Sequence, residues 1–388
     1  MRNIQFLIFF STVITVFSLL SWYVYSKGIQ AFPAGSPYRS WFRYIFLFLS
    51  ASYIAARFIE KIWLSIGSDI LMWIGSFWLA AFFYFLITAL LIDIVRLANF
   101  AVPFLPEYTS TLIFKQRLFK VVAGITAILI LAGYMNSIIP RVKKLDLVID
   151  KKVEGMEELT IAFASDIHLG TLIGPRRTNQ IVNKLNALNA DMILLGGDIV
   201  DEDLAPVIRS NLGDSLKKLH APLGVIGITG NHEFIGGAEE AVRYLEDNGI
   251  MIIRDKALLV DNKFYVVGRE DRDKPRFSGL ERKRIEEIIS DVDFLKPVIL
   301  LDHQPFELDE KEKAGIDLTL SGHTHHGQLW PLNYLTGAIY EVSWGYKRKG
   351  NTHIYVSSGV GGWGPPVRIG NRPEVVLIHI RFKPDPSL

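Results

Sequence analysis

Three stretches of the chain, Ile4–Tyr25, Ile70–Ile92 and Val121–Ile139, contain no charged residue, and all lie within the first 140 positions. No other property of the sequence narrows the possible folds as far. A helix of about 20 apolar residues, rising about 1.5 Å each, spans the roughly 30 Å hydrocarbon core of a bilayer. A fourth stretch, Trp41–Ile59, is broken by Arg43 and Arg57 near its ends, where long side chains can reach the interface. Trp41, Tyr44, Trp63, Trp73 and Tyr134 fall where interfacial aromatic belts are expected. Buried helices of a soluble core are the alternative, disfavoured by three runs of such length. A cleaved signal peptide is disfavoured for the first run, which is longer than a usual apolar signal segment and lacks a small-x-small site after it. The expectation is a transmembrane region over residues 1–144, with spans near 4–25, 41–59, 70–92 and 121–139. Pro140 and the basic Arg141, Lys143 and Lys144 close it, and a soluble domain follows over 145–388.

Charge supports this division. Residues 1–140 hold ten Lys/Arg and four Asp/Glu, whereas the remaining positions hold 32 basic and 36 acidic residues. The overall +2 therefore combines two differently charged objects. No basic run interleaved with aromatics marks a nucleic-acid surface. The absence of cysteine excludes disulfides, thiolate ligands and cysteine nucleophiles. Four spans return the chain to its starting side. That side collects Arg2, Arg57, Lys61, Arg141, Lys143 and Lys144, and the other collects Lys27, Arg39, Arg43, Arg96, Lys115, Arg117 and Lys120. Positive residues concentrate in the cytoplasm. The near-tie gives a slight lean, from the Lys115–Lys120 segment, toward an extracytoplasmic soluble domain of a multi-pass membrane protein.

Beyond residue 145 short apolar runs alternate with helical patterns, which predicts an α/β domain with parallel pairing or a two-sheet sandwich flanked by helices. Each apolar run Leu159–Ala164, Met192–Leu195, Val225–Thr229, Val298–Leu301 and Leu318–Leu320 leads into polar residues. In order these are Asp166-x-His168, Gly197-Asp198, Gly230-Asn231-His232-Glu233, Asp302-His303 and Gly322-His323-Thr324-His325. Helices are expected at Arg176–Leu188, Val207–Leu219, Ala238–Asn248 and Leu280–Ile289, with a loop over Arg269–Phe277. Sites in such folds gather beyond the carboxyl ends of strands, where every one of these residues falls.

Carboxylate and imidazole together suit Mn, Fe or Zn, whereas an all-oxygen set would suit Mg or Ca. Asp166 and His168 can reach one ion if the chain turns sharply at Gly170. Asp198 can bridge two ions with its two oxygens, holding them about 3.5–4 Å apart, an arrangement suited to in-line attack on phosphorus. Asn231 offers a neutral oxygen. His232, next on the same turn, can face substrate and protonate the leaving oxygen, with Glu233 orienting it or supporting a ligand. Each motif alone is common. All five in this order, each at a strand end, are not expected of a purely structural domain.

These motifs resemble those of the calcineurin-like metallophosphoesterase family, and most closely its bacterial membrane-associated or exported phosphodiesterase branch. The resembling stretches are Ser165–Gly170, Gly322–Gln328, Tyr355–Gly359 and Arg372–Glu374. The resemblance implies a metallophosphoesterase-type β-sandwich flanked by helices, a pair of divalent metal ions and phosphoester hydrolysis. It implies Asp166, His168 and His325 at one metal, Asn231, His303 and His323 at the other, Asp198 between them, and His232 as the substrate-facing acid. His326 departs from the small residue common there. The segments Trp330–Tyr346 and Gly359–Arg368 are expected to wall the cleft, with Arg368 a candidate phosphate contact weighed against an ordinary surface arginine. His220, His353 and His379 lack ligand spacing.

The expected function is a membrane-anchored, dinuclear-metal phosphoesterase acting on a phosphodiester or pyrophosphate of a lipid-linked or envelope substrate, with the bilayer as its other partner. One alternative is a UDP-2,3-diacylglucosamine-type pyrophosphatase of lipid A synthesis, which requires a cytoplasmic domain. Another, of a different class, is a membrane sensor or transporter whose soluble domain only binds phosphates. The complete ligand set and the scarcity of polar residues in the spans disfavour it.

Overall fold

The computed structural model describes residues 2–383, which divide into a unit ending at Gly133 and one beginning at Tyr134. The first unit contains the helices Arg2–Gly28, Pro37–Ile62 and Ile66–Ala101, and most of Leu112–Ser137. Pro37 opens the second helix, where its missing N–H costs nothing. Ser65 and Ser68 cap the third reciprocally, each hydroxyl accepting the other's backbone N–H. That helix is longer than the charge-free run predicts. Asp69 sits in its first turn, where negative charge is favourable, and Asp93 accepts a hydrogen bond from Tyr23 at 2.8 Å and an ion pair from Lys27 at 2.5 Å. A side chain at Gly75 would overlap the backbone of Tyr53, so glycine permits close packing of the second and third helices. Val24, Phe46 and Phe82 are buried at the centre.

Among the described residues two helices, Ile66–Ala101 and Leu112–Ser137, are long and apolar enough to cross a membrane, with mean hydropathies of 2.2 and 2.0. Pro37–Ile62, expected as a span, carries Arg39, Arg43, Arg57, Glu60 and Lys61. The first expected span, from Ile4, includes side chains outside the described set.

The second unit holds β1 (Arg141–Ile149), β2 (Glu158–Ala164), β3 (Met192–Leu195), β4 (Val225–Gly227), β5 (Met251–Ile252), β6 (Lys256–Val260), β7 (Phe264–Gly268), β8 (Val298–Leu301), β9 (Leu318–Ser321), β10 (Gly345–Lys349), β11 (Thr352–Val356) and β12 (Glu374–Phe382). They form two six-stranded sheets, ordered β1-β12-β2-β3-β4-β5 and β10-β11-β9-β8-β7-β6. Pairing is parallel except at β12–β2, β6–β7 and β10–β11. The sandwich expected from the resemblance is present, and the residue pattern explains it. Leu159, Ile161 and Phe163 of β2 join Met192, Leu194, Phe264, Val266, Ile299 and Leu318 in a core shared by both sheets. Ala162 and Ala164 point the other way, into a second core with the helix Pro175–Asn186. Strands buried on both faces read as continuous apolar runs.

Some elements differ from expectation. β1 begins at Arg141, inside the basic cluster read as a membrane flank, and pairs with β12 in register from Arg141–Glu374 to Ile149–Phe382. The helix expected over 207–219 is two pieces, Leu204–Arg209 and Gly213–Leu216, separated at Asn211, whose φ is 49°. The expected loop 269–277 contains the helix Lys274–Ser278, and only Ile285–Ile288 of the helix expected over 280–289 forms.

Candidate metal centre

The loops leaving β2, β3, β4, β8 and β9 converge, and the backbone at their ends is unusual. Asp166, His168, Asp198, His323 and His325 have φ of 53°, 54°, 49°, 70° and 44°. Non-glycine residues rarely occupy this region, and such strain persists only where the surroundings enforce it. Backbone bonds do so here: Asp166 N–H donates to Gly197 O, His168 N–H to Asp198 O, and Gly322 N–H to His303 O. The loops are thus laced to one another. Glycine is required at 322, because a Cβ there would overlap the Asp166 carboxylate.

Two clusters result. Asp166, His168 and His325 offer ligand atoms within 4.8 Å of one another, as do Asp198, His303 and His323. In the first, Nε2 of His168 and Nε2 of His325 are 3.1 Å apart, and His325 Nε2 is 3.5 Å from Asp166 Oδ1. In the second, His303 Nε2 is 3.0 Å from Asp198 Oδ2. Asn231 Oδ1 lies 2.8 Å from His323 Nδ1, joining this side. Asp198 Oδ2 is also 3.8 Å from His168 Nε2, so one carboxylate serves both clusters. All seven residues expected to hold metal are therefore brought together.

The electrostatics of the ligands differ. Burial opposes a proton on His303, but Asp198 and Asp166 outweigh it and hold that imidazole well above the usual histidine range, so it must give up a proton to ligate. Burial, then the charge of His303, pushes His323 down to about 3, and burial with His168 and Arg368 holds His325 well below the usual histidine range. Both imidazoles are thus neutral, as ligation requires. Burial opposes ionisation of Asp198, but His303 and His232 outweigh it and hold its carboxyl well below the ordinary value. Asp166 Oδ2 is buried with no hydrogen-bond partner among the described residues. A carboxylate oxygen left so is costly unless a cation takes it. The nitrogen and oxygen donors present therefore fit a pair of first-row divalent ions.

Of the two roles expected of Glu233, it supports a ligand rather than orienting His232. Its oxygens accept from the N–H groups of Asp198, Val200 and Gly230 at 3.1, 2.8 and 2.7 Å, bracing the β3 and β4 loops against each other. Asp201 takes the orienting task, with Oδ1 3.0 Å from His232 Nδ1. The sequence held a signal for it: Asp201 stands three residues after Asp198 on the same turn. Burial disfavours the His232 proton, but Asp198 and Asp201 raise its pKa to about 9.

Arg368 needs correction. It is 1% exposed. Its guanidinium donates to Ser358 O at 2.6 Å, to Gly361 O and to Asn371 Oδ1, and lies 3.1 Å from His325 Nδ1. It braces the His325 loop and is not the exposed surface arginine weighed against a phosphate contact. The segment carrying it is held in turn by the second unit's first residues. Asn136 donates to Arg368 O and Asn371 O, and Ser137 to Pro366 O. His326 Nδ1 is 3.1 Å from Ser343 Oγ, and His353 lies between Tyr346 and Val148 O. The walls expected from 330–346 and 359–368 are present in Tyr340, 6.1 Å from the His323 ring, and Trp363, 6.1 Å from that of His232.

The calcineurin-like phosphoesterase family model matches residues 159–327, which include every residue of both clusters. An uncharacterized metallophosphoesterase of Aquifex aeolicus is 32% identical over 65% of this chain and 95% of its own length. One from Helicobacter pylori is 34% identical over 62% of the chain and 64% of its own length. A Danio rerio protein, named transmembrane protein with metallophosphoesterase domain, is 29% identical over 98% of the chain and 90% of its own length. The chain belongs to the calcineurin-like metallophosphoesterase family. It is a metal-dependent phosphoester hydrolase.

Proposed function

We propose that the chain is a multi-pass membrane phosphoesterase that cleaves a phosphodiester or pyrophosphate bond in a lipid-linked or envelope substrate, with its catalytic domain extracytoplasmic. The observation carrying the chemistry is the pair of clusters sharing Asp198. In this reading Asp166, His168 and His325 hold one ion, Asn231, His303 and His323 the other, and Asp198 both. Such a pair supplies Lewis acidity toward phosphoryl oxygens and lowers the pKa of water. The protein's own part is positional. Strained, mutually bonded loops fix the donors, and Glu233 keeps the Asp198 turn against the Asn231 turn. His232, oriented by Asp201 3.0 Å from its Nδ1, is placed to hold a proton for the departing oxygen. Its ring lies 4.5 Å from that of His168, so the proton sits beside the first cluster.

Membrane attachment is supported by the two long apolar helices and by the similarity to a protein named as transmembrane. A tethered enzyme meets bilayer-borne esters at high local concentration, which favours a lipid-linked substrate. The test is hydrolysis by the full-length protein in detergent, loaded with Mn, Fe or Zn. It compares a soluble aryl phosphodiester with lipid-linked diphosphates and phospholipids, with products identified. Preference for the lipid-linked esters is expected. Turnover of the aryl diester alone would refute the substrate assignment, and an intracellular C-terminal reporter would refute the sidedness.

A further inference from the structure

The first unit contains a cavity of about 290 Å³ that the hydrolytic reaction does not use. Its body is apolar, formed by residues such as Phe46, Leu49 and Phe85, while Lys27, Arg96 and Lys115 also line it and no carboxylate does. Lys27 and Arg96 lie in the last two turns of their helices and Lys115 in the first turn of its own, so the three cations share one end of the helical unit. The nearby acid, Asp93, pairs with Lys27 at 2.5 Å and lies 3.9 Å from Arg96. Lys115 has no carboxylate partner among the described residues. Three cations thus face one carboxylate, beside an apolar hollow.

From this we infer a binding site for one membrane lipid with an anionic, phosphate-bearing headgroup. The phosphate meets Lys115 and Arg96, and the upper acyl chain fills the apolar body. A free phosphate would satisfy the cations but leave the hollow without a ligand, and a zwitterionic lipid would fill the hollow but bring no net charge. The site is separate from the metal centre and rests on the membrane-spanning reading above.

The test uses full-length protein in mild detergent, with native mass spectrometry of retained dioleoyl phosphatidylglycerol against dioleoyl phosphatidylcholine. Phosphatidylglycerol should be retained about fivefold better, roughly what one near-surface cation contributes. The Arg96→Gln/Lys115→Gln double variant should bring the two lipids near parity. Arg117→Gln/Lys120→Gln, which alters exposed cations of the same helix outside the cavity, should leave the preference intact. Inorganic phosphate should not displace the lipid. Equal retention by the native protein, equal loss in both double variants, or displacement by phosphate would each overturn the site. Alkaline carbonate extraction of membranes separates the underlying reading. Protein released by carbonate refutes membrane spanning itself, whereas protein that stays embedded without headgroup preference refutes only the lipid site.

Discussion

Replacing Asp201 with asparagine tests the reading of His232 as proton donor more directly than replacing the histidine. Asp201 Oδ1 is 3.0 Å from His232 Nδ1, and His232 stands at about 9 because Asp198 and Asp201 outweigh burial. A raised pKa keeps the protonated form present at neutral pH and loses it only as pH rises through the raised value. With Asp198 shared by two cations, Asp201, the nearer, and Glu202, 4.0 Å from Nδ1, are the carboxylates left to hold that proton. A hydrogen bond to a charged group contributes about 1.5–3 kcal/mol, and one pKa unit corresponds to about 1.4 kcal/mol. The Asp201 side chain is 21% exposed, so solvent screening favours the lower end, about one unit. The alkaline limb of kcat should therefore move about one pH unit lower in Asp201→Asn, with unchanged rates below it. The assay is a pH–rate profile on an aryl phosphodiester from neutral to alkaline pH, with metal content measured on the same samples. Asp201 holds no ion in this scheme, so loading should stay full. A fully loaded variant whose alkaline limb coincides with that of the native enzyme would refute the reasoning.

Other substitutions separate ligation from support. Asp198→Asn and His323→Ala should lose bound metal and turnover together, whereas His232→Ala should keep metal and lose about 10²–10⁴ in rate; metal analysis of the three purified variants checks this. Gly322→Ala would drive a methyl into the Asp166 carboxylate and should lower metal affinity with little change in fold, read by metal titration and circular dichroism. Arg368→Met should leave Ser358 O, Gly361 O and Asn371 Oδ1 buried without their donor. At about 1–3 kcal/mol per abandoned group, the melting temperature should fall, while residual activity in folded protein should show an unchanged KM. A raised KM would restore Arg368 to the substrate.

The metal ligands were legible because chemistry restricts their types and each follows an apolar strand. Asp198 and His323, 125 positions apart, both announce themselves by a preceding glycine. Supporting residues carry no such mark. Arg368 reads as an exposed arginine until Asn371 and the backbone around Ser358 enclose it, and Glu233 reads as a partner of its neighbour His232 although it serves three backbone amides. In the fold, β1 was hidden by its own composition. Lys143, Lys144 and Asp146 face outward while Leu145, Leu147 and Ile149 enter the core, and a basic cluster after an apolar run imitates a membrane flank. The break at Asn211 was equally silent, since one left-handed residue divides a pattern that stays periodic on both sides.

The clamp formed by Asn136 and Ser137 bears on how a soluble fragment of this enzyme should be cut. A start at residue 145, where composition alone would place the scissors, discards two side chains whose three hydrogen bonds tether the segment from Pro366 to Asn371. It also strips Ser137 O and Ile138 O from the guanidinium of Arg177, and removes half of β1. A fragment opening just before Tyr134 keeps these attachments. The last turn of the fourth helix is, in mechanical terms, the first piece of the hydrolase.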